Sequence, residues 1–97
     1  MNELLLTYDV ETTTPEGRAR LRKVAKLCEA HGIRVQKSVF EIIADDKTLL
    51  LLLDRIEHTI NHDHDSIRVY RLPAKAFATV TTRGTAKPTP HHTTHIY

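Results

Sequence analysis

Asp9 is the residue with the clearest capacity for chemistry, because this carboxylate directly follows a hydrophobic segment. The run Leu4-Leu5-Leu6 supplies both faces of a strand with apolar side chains, which is typical of a buried central strand over residues 3–9. Mg²⁺ is usually held by one or two carboxylates, with waters and substrate phosphate completing its shell. We therefore predict Asp9 as a catalytic residue and metal ligand at the sheet rim. The alternative is an acid that only caps a turn.

Cations follow this strand in a pattern that predicts a phosphate-binding surface. The net charge of the chain is only +2, yet residues 17–37 contain seven Lys or Arg against one acid. Helical spacing places several of these cations on one ridge, and two more follow on the next strand. The predicted nucleic-acid-binding residues are Arg18, Arg20, Arg22, Lys26, Arg34 and Lys37. The alternative is a solvated helix face; phosphate contacts would make binding sensitive to salt.

Two hydroxyl groups complete the predicted site. Tyr8 directly precedes Asp9, and Ser38 lies in a segment rich in β-forming residues. We predict that Tyr8 and Ser38 act with Asp9 in catalysis by positioning phosphate or water. The alternative for Ser38 is a small polar filler of a strand.

A single carboxylate is a weak Mg²⁺ site, and no second acid obviously joins Asp9 within one chain, although Glu11 is close in sequence. A two-fold dimer would bring two copies of Asp9 together. A chain of 97 residues also has little stability to spare without a partner subunit. Both points favour a partner subunit, and in a two-fold dimer a Mg²⁺ held by the two carboxylates would lower the pKa of a bound water and neutralise charge on a scissile phosphate.

The helix that carries the cations has clear boundary signals. Thr14 is a predicted N-cap and Pro15 a predicted first helical residue. The helix is predicted to run to about His31. Gly32 is predicted to end it by adopting the left-handed conformation that other residues avoid.

The remaining elements follow from periodicity and caps. Residues 33–44 are predicted to form strand with a bend near Lys37, either a tight hairpin or a bulged long strand. A second helix over about 47–60 is predicted to begin after an acidic cap, and residues 66–72 form a last strand. The order β-α-β-β-α-β predicts a ferredoxin-like α+β sandwich.

Two parts of the chain are predicted to differ in organisation. Residues 1–73 form the ferredoxin-like domain, and residues 74–97 follow as a C-terminal strand and tail. Within the second part, residues 77–81 are predicted to form a short fifth strand. The stretch beyond Gly84 combines prolines with Thr and His, which favours an extended tail.

Composition excludes several functional classes. No apolar run approaches the roughly 20 residues that a membrane span needs, so no membrane association is predicted. Cys28 is the single cysteine, so no internal disulfide forms and a cytoplasmic location is predicted. Seven histidines without cysteine partners or a His-Glu-x-x-His motif favour adventitious metal binding over a zinc site. The paired-aromatic motif of RNA-recognition domains is absent.

Four separate blocks of the sequence resemble the Cas2 family of small CRISPR-associated adaptation proteins. They agree in order and spacing over residues 3–72. The blocks are Tyr8-Asp9-Val10, Gly17-Arg18-Ala19-Arg20-Leu21-Arg22-Lys23-Val24-Ala25-Lys26, Arg34-Val35-Gln36-Lys37-Ser38-Val39-Phe40-Glu41 and Asp65-Ser66-Ile67-Arg68-Val69-Tyr70-Arg71-Leu72.

The resemblance implies a ferredoxin-like homodimer in which Asp9 lies near the dimer axis as the Mg²⁺ ligand of a phosphodiesterase site. It also implies endonuclease activity on RNA or double-stranded DNA, and a place as the central subunit of the spacer-acquisition complex. There the partners would be the CRISPR integrase and the incoming duplex. The C-terminal strand, here residues 77–81, would pair with the partner protomer's sheet. The polar residues 85–95 depart from the apolar ending common in the family.

Three functional hypotheses follow. The first is a Mg²⁺-dependent endonuclease of CRISPR adaptation that is also the central subunit of the acquisition complex. The second is a non-catalytic DNA-binding adaptor of the CRISPR integrase, in which Asp9 is structural. The third is a stand-alone toxin-like ribonuclease of the same fold. Double-stranded DNA and single-stranded RNA both remain open as substrates.

Overall fold

The structure is a computed structural model that describes residues 1–84, and its elements follow the predicted β-α-β-β-α-β order. A short 3₁₀-helix comes after the last strand. The elements are β1 (Asn2–Asp9), α1 (Pro15–Glu29), β2 (Gly32–Gln36), β3 (Val39–Ala44), α2 (Asp46–Thr59), β4 (Ser66–Leu72) and the 3₁₀-helix Ala76–Thr79.

The four strands form one sheet in the order β2-β3-β1-β4, with β1 antiparallel to both of its neighbours. Alternate residues of β1, namely Leu4, Leu6 and Tyr8, are buried. Side chains alternate between the faces of a strand, so these residues turn to the helices and Asp9 lies on the opposite face. The ferredoxin-like α+β sandwich predicted from the sequence is confirmed.

Both helices begin at the predicted caps. The Thr14 hydroxyl accepts a hydrogen bond from the Gly17 backbone N–H at 3.0 Å, and Pro15 opens α1. The Asp45 carboxylate accepts from the Thr48 backbone N–H at 2.7 Å at the start of α2. Each cap satisfies a donor that has no partner within its helix.

The core lies between the sheet and the two helices. Its fully buried side chains include Leu4, Leu6, Val24, Cys28, Phe40, Ile42, Leu49, Leu52 and Ile56. Burial raises the pKa of the Cys28 thiol to about 12, so this side chain packs as a small apolar group rather than acting as a nucleophile.

Gly32 has a different role from the predicted one. Helix α1 ends at Glu29, and positive φ angles among the described residues occur only at Lys75 and Gly84. Gly32 instead opens β2, where a Cβ atom would lie 2.4 Å from the Glu41 carbonyl oxygen. The close approach of β3, not a left-handed turn, therefore requires glycine here.

The bend near Lys37 is a hairpin turn between β2 and β3. The ladder is irregular between Arg34 and Gln36, so the hairpin also contains a bulge in β2. The tight hairpin is therefore confirmed, and the alternative of one long bulged strand is wrong. The bulge keeps Arg34 paired with Phe40 and leaves Lys37 and Ser38 at the tip.

The predicted short fifth strand is not formed by the single chain. Residues 76–79 form the 3₁₀-helix, because the Glu3 carboxylate accepts hydrogen bonds from the backbone N–H groups of Lys75 and Phe77, the latter at 2.8 Å. Residues 85–97, the predicted tail, lie outside the described residues, and the boundary at residue 73 stays a prediction. Within residues 1–84, neither α-helix combines the length and apolar character of a membrane span.

Gly32→Ala is expected to destabilise the fold by roughly 1–3 kcal/mol, because the added methyl group overpacks the β2–β3 contact. Urea unfolding measures the effect. Gln36→Ala, an exposed change in the same strand, is the matched control and should stay within about 0.5 kcal/mol of the parent. Equal stability of parent and Gly32→Ala would contradict the close-approach explanation.

Candidate functional site

Asp9 is the last residue of β1, and its side chain is exposed. It pairs with Ser66 at the start of β4. By strand alternation, Asp9 shares a face with Leu5 and Thr7, away from the helices. The carboxylate thus lies at the sheet rim, as predicted, where solvent, a metal ion or a second chain can reach it.

A cleft of about 390 Å³ adjoins Asp9 and contains most of the predicted site residues. It lies between α1, the end of β1 and the β2–β3 hairpin. Its lining consists of Tyr8, Asp9, Val10, Thr12, Leu21, Arg22, Ala25, Arg34, Lys37 and Ser38. The structure therefore brings together all three predicted catalytic residues and three of the six predicted nucleic-acid-binding cations.

Tyr8 is held in place by its backbone and its ring. Its N–H donates to the Ser38 carbonyl oxygen at 3.1 Å, and its hydroxyl lies 3.4 Å from the Lys37 carbonyl oxygen. The ring stacks on Phe40 with 6.0 Å between centroids. Burial raises the pKa of the phenol, although Arg34 opposes this effect. At neutral pH, Tyr8 is therefore a hydrogen-bond donor and not a general base.

Among the three cations that line the cleft, Arg34 has the most contacts that fix its side chain. Its guanidinium carbon lies 5.3 Å from the centre of the Phe40 ring, and one of its nitrogens is 3.1 Å from the Glu29 carboxylate. Both contacts restrict the side chain, which still keeps 44% of its surface exposed. Arg34 therefore reaches the cleft at little further cost in conformational entropy.

The cationic ridge predicted on α1 is present and exposed. Arg18, Arg22 and Lys26 all lie on the solvent side of the helix. An Arg18 guanidinium nitrogen donates to the Thr12 carbonyl oxygen at 3.2 Å and so ties the ridge to the loop that follows Asp9. Among residues 1–84, no acid forms an ion pair with any of these three cations, so their charge is available to an anionic ligand.

Arg20 has a structural partner that sequence reasoning missed. Its Nε donates to the Asp65 carboxylate at 2.8 Å, and the Asp65 side chain is fully buried. The same carboxylate accepts from the backbone N–H groups of Glu11 and Asn61 at 3.0 and 2.9 Å. The sequence signalled only two acids, Asp63 and Asp65, in the loop before β4, because the pairing joins residues 45 positions apart. That Arg20 binds nucleic acid stays a prediction.

The Asp65 carboxyl is held in its charged form. Burial acts to raise its pKa, but the hydrogen bonds from Arg20 and from the two backbone N–H groups outweigh burial, so the pKa is lowered. Hydrogen bonds to the ionised form have this effect on a carboxylate. The interaction fixes the loop that begins directly after Asp9.

Other carboxylates do not gather around Asp9. Within residues 1–84, no three His, Cys, Asp or Glu side chains group as potential metal ligands. Glu11, the nearest acid in sequence, lies 3.0 Å from His64 instead. His58 and His62 each contact a backbone carbonyl of α2. A metal ion on Asp9 would need ligands from water, phosphate or a second copy of the chain.

A model of the family described as "CRISPR associated protein Cas2" matches residues 1–80. The chain belongs to the Cas2 family. The CRISPR-associated endonuclease Cas2 of Halalkalibacterium halodurans is 49% identical over 69 residues, which cover 71% of this chain and 72% of that protein. The CRISPR-associated endoribonuclease Cas2 1 of Moorella thermoacetica is 47% identical over 76 residues, covering 76% and 79%.

Solved Cas2 structures share the fold. Streptococcus pyogenes Cas2 is 45% identical, with a TM-score of 0.76 and coverage of 84% of this chain and 99% of that one. A chain of a partial Cas6-RT-Cas1–Cas2 complex is 26% identical, with a TM-score of 0.59 and coverage of 84% and 90%. The resemblance found in the four sequence blocks is therefore confirmed.

In this Cas2 family member, Asp65→Asn is expected to lower the free energy of unfolding by about 2 kcal/mol at pH 7, because Arg20 and two backbone donors lose a charged acceptor. The folded pKa is lowered, so the stabilisation is present above the unfolded value of about 3.9 and is lost as pH falls through the folded value. The stability difference from the parent should therefore shrink below about pH 4.

Urea unfolding at several pH values measures this difference. Asp63→Asn changes an exposed acid of the same loop and is the matched control, expected to stay within about 0.5 kcal/mol of the parent. A deficit of Asp65→Asn that does not depend on pH would show that the carboxylate charge is not the stabilising factor.

Proposed function

We propose that this chain is a Mg²⁺-dependent endonuclease of CRISPR adaptation that works as a homodimer. Relatives are named endonuclease and endoribonuclease, which supports phosphodiester hydrolysis as the general chemistry. The single observation that carries the proposal is the exposed Asp9 beside a cleft lined by Arg22, Arg34 and Lys37. An anion-binding surface next to a carboxylate suits metal-assisted attack on a phosphate.

The open face of the sheet supports the homodimer. Both helices cover one face, and register with β1 places Leu5, Ile43 and Tyr70 on the other. Tyr70 is 46% exposed on this face, and a second chain packed there would cover it. Asp9 lies on this same face, so a two-fold contact through it would bring two Asp9 carboxylates toward one axis.

Asp9 provides enough carboxylate ligands for Mg²⁺ only in a two-fold dimer of this kind. One Asp9 from each protomer gives two carboxylates, and waters and a substrate phosphate would complete the shell. When bound, the ion would supply a water of lowered pKa and charge neutralisation. Arg22, Arg34 and Lys37 hold the phosphodiester and the Ser38 hydroxyl orients it by a hydrogen bond, while Tyr8 positions the hairpin tip through the Lys37 carbonyl oxygen.

A second function is supported by the cationic ridge on α1. Arg18, Arg22 and Lys26 are exposed, and no acid of the described chain pairs with them, as suits a surface that grips a duplex backbone. A structural relative is part of a Cas1–Cas2 complex. We infer that the chain also serves as a DNA-binding adaptor for the Cas1 integrase, and the two functions are compatible.

Asp9→Asn is expected to reduce Mg²⁺-dependent cleavage by at least about 100-fold, because the metal loses its charged protein ligand. Cleavage of RNA and of double-stranded DNA is measured with and without Mg²⁺. Thr7→Ser, a small change on the same strand face, is the matched control. Mixed dimers of parent and Asp9→Asn test whether both carboxylates contribute, and more than half of parental activity in such dimers would contradict a shared site.

Equal cleavage by Asp9→Asn and the parent would remove the catalytic proposal and leave the adaptor function. Conversely, spacer integration by Asp9→Asn at the parental level, together with lost cleavage, would assign the two activities to separate surfaces.

The double variant Arg18→Ala, Arg22→Ala is expected to weaken duplex binding and to reduce the slope of log K against log salt by about 2 per bound protomer, because two phosphate contacts are lost. Fluorescence anisotropy at several salt concentrations measures both quantities. Arg55→Ala on α2, also exposed, is the matched control and should leave the slope unchanged. An unchanged slope in the double variant would exclude α1 as the duplex-binding surface.

A further inference from the structure

Arg20 lies on a different side of α1 from the cationic ridge. Successive residues of an α-helix are rotated by about 100°, so Arg20 is turned by about 160° from both Arg18 and Arg22. Exposure agrees with this geometry, because Arg18 and Arg22 are exposed whereas only 19% of the Arg20 side chain is accessible. A phosphate backbone that lies along the ridge therefore faces away from Arg20.

The Arg20 guanidinium already has an anionic partner in Asp65. Its Nε and one terminal nitrogen donate to the two carboxylate oxygens at 2.8 and 3.4 Å. The Asp65 side chain is fully buried, and removing the partner of a buried charge is strongly unfavourable. Arg20 therefore stays on Asp65 and does not exchange it for a phosphate.

The Asp65 carboxylate is linked to the strand end that presents Asp9. The backbone N–H of Glu11, two residues after Asp9, donates to this carboxylate at 3.0 Å. Ser66, the residue after Asp65, is the strand partner of Asp9. Asp65 is therefore joined to the chain on both sides of Asp9, by a hydrogen bond and through the β1–β4 pairing.

The same carboxylate is linked to the helix that presents Arg22. Arg20 is two residues before Arg22 on α1, and of these two only Arg22 lines the cleft. A metal ion on Asp9 and a phosphate on Arg22 must lie at a set separation for attack. A misplacement of about 1 Å can cost about 100-fold in rate. The pair of Arg20 and Asp65 therefore ties together the two groups whose spacing matters most.

We propose that Arg20 is a positioning residue that acts through Asp65. The pair holds the Arg22 cation at the separation from Asp9 that cleavage requires, and Arg20 does not contact nucleic acid. This inference rests on the proposed function. It gives Arg20 a role different from the phosphate contact predicted from the sequence.

Duplex binding by the full-length protein separates positioning from phosphate contact. Arg20→Met keeps an apolar stem of similar length and removes the donors. It is expected to leave the slope of log K against log salt unchanged, whereas Arg18→Met is expected to reduce the slope by about 1. Fluorescence anisotropy without Mg²⁺ measures both slopes. A reduction of about 1 in Arg20→Met would overturn the inference.

Steady-state cleavage of RNA and double-stranded DNA with Mg²⁺ tests the positioning itself. Arg20→Met and Asp65→Asn are each expected to lower kcat at least about tenfold, with KM within about twofold of the parent. The double variant is expected to be no worse than the more damaging single variant, because both changes break one pair. Asp63→Asn, an exposed acid of the same loop, is the matched control.

Circular dichroism establishes that each variant is folded under the assay conditions. A pair that only stabilises the fold would leave kcat of the folded protein at the parental level, and this result would overturn the inference. Multiplicative losses in the double variant would also overturn it. If Arg20→Met does not fold, Asp65→Asn decides, because it retains the Arg20 cation, and parental kcat in that variant contradicts positioning through Asp65.

The amide hydrogen of Glu11 gives a readout that needs no cleavage, because it is bonded to Asp65. Its exchange, followed by NMR, is expected to accelerate at least about tenfold in Arg20→Met and to stay at the parental rate in Lys23→Met, an exposed change on α1. Unchanged exchange in Arg20→Met would overturn the inference. Accelerated exchange, with a parent that cleaves neither RNA nor DNA, overturns the proposed function instead and upholds the link through Asp65.

Discussion

The hydrogen bonds to the buried Asp65 carboxylate fix the geometry of the end of the domain where Asp9 and the cleft lie. The carboxylate accepts hydrogen bonds from α1 through Arg20, from the loop after β1 through Glu11, and from the end of α2 through Asn61. The loop before β4 is thereby joined at one charged group to two segments that lie 45 and 54 residues away in sequence. Because a buried charge is costly without complete hydrogen bonding, this arrangement permits little adjustment of the chain that leaves Asp9.

The division of the sheet into two faces explains how one small domain carries two kinds of surface. The helix-side face buries Leu4, Leu6 and Tyr8 and so positions α1. The opposite face ends in Asp9 and, within residues 1–84, has no helix layer. The alternation of a single strand therefore separates the exposed Asp9 from the helix side that carries the cationic ridge, and the cleft at the strand end adjoins both.

The features that depend on a few neighbouring residues could be predicted from the sequence. The Thr14 and Asp45 caps, the strand ending at Asp9 and the cationic spacing on α1 all depend on near neighbours. The roles of Gly32 and Arg20 could not be predicted from the sequence. Gly32 is required by the close approach of β3 across the hairpin, and Arg20 pairs with an acid 45 residues away. The 3₁₀-helix at residues 76–79 likewise depends on Glu3, at the far end of the chain. The apolar pattern of residues 77–81 does not indicate a contact with Glu3.

The contact between Glu3 and Phe77 also sets where the carboxyl-terminal part of the chain begins. Glu3 and Asp9 are six residues apart on β1, so the contact between Glu3 and the 3₁₀-helix lies about 20 Å along the strand from Asp9 at a rise of about 3.3 Å per residue. The 3₁₀-helix therefore packs at the pole of the domain opposite Asp9. Substitutions at the Glu3–Phe77 contact and at Asp9 are consequently far enough apart to act independently of each other on stability.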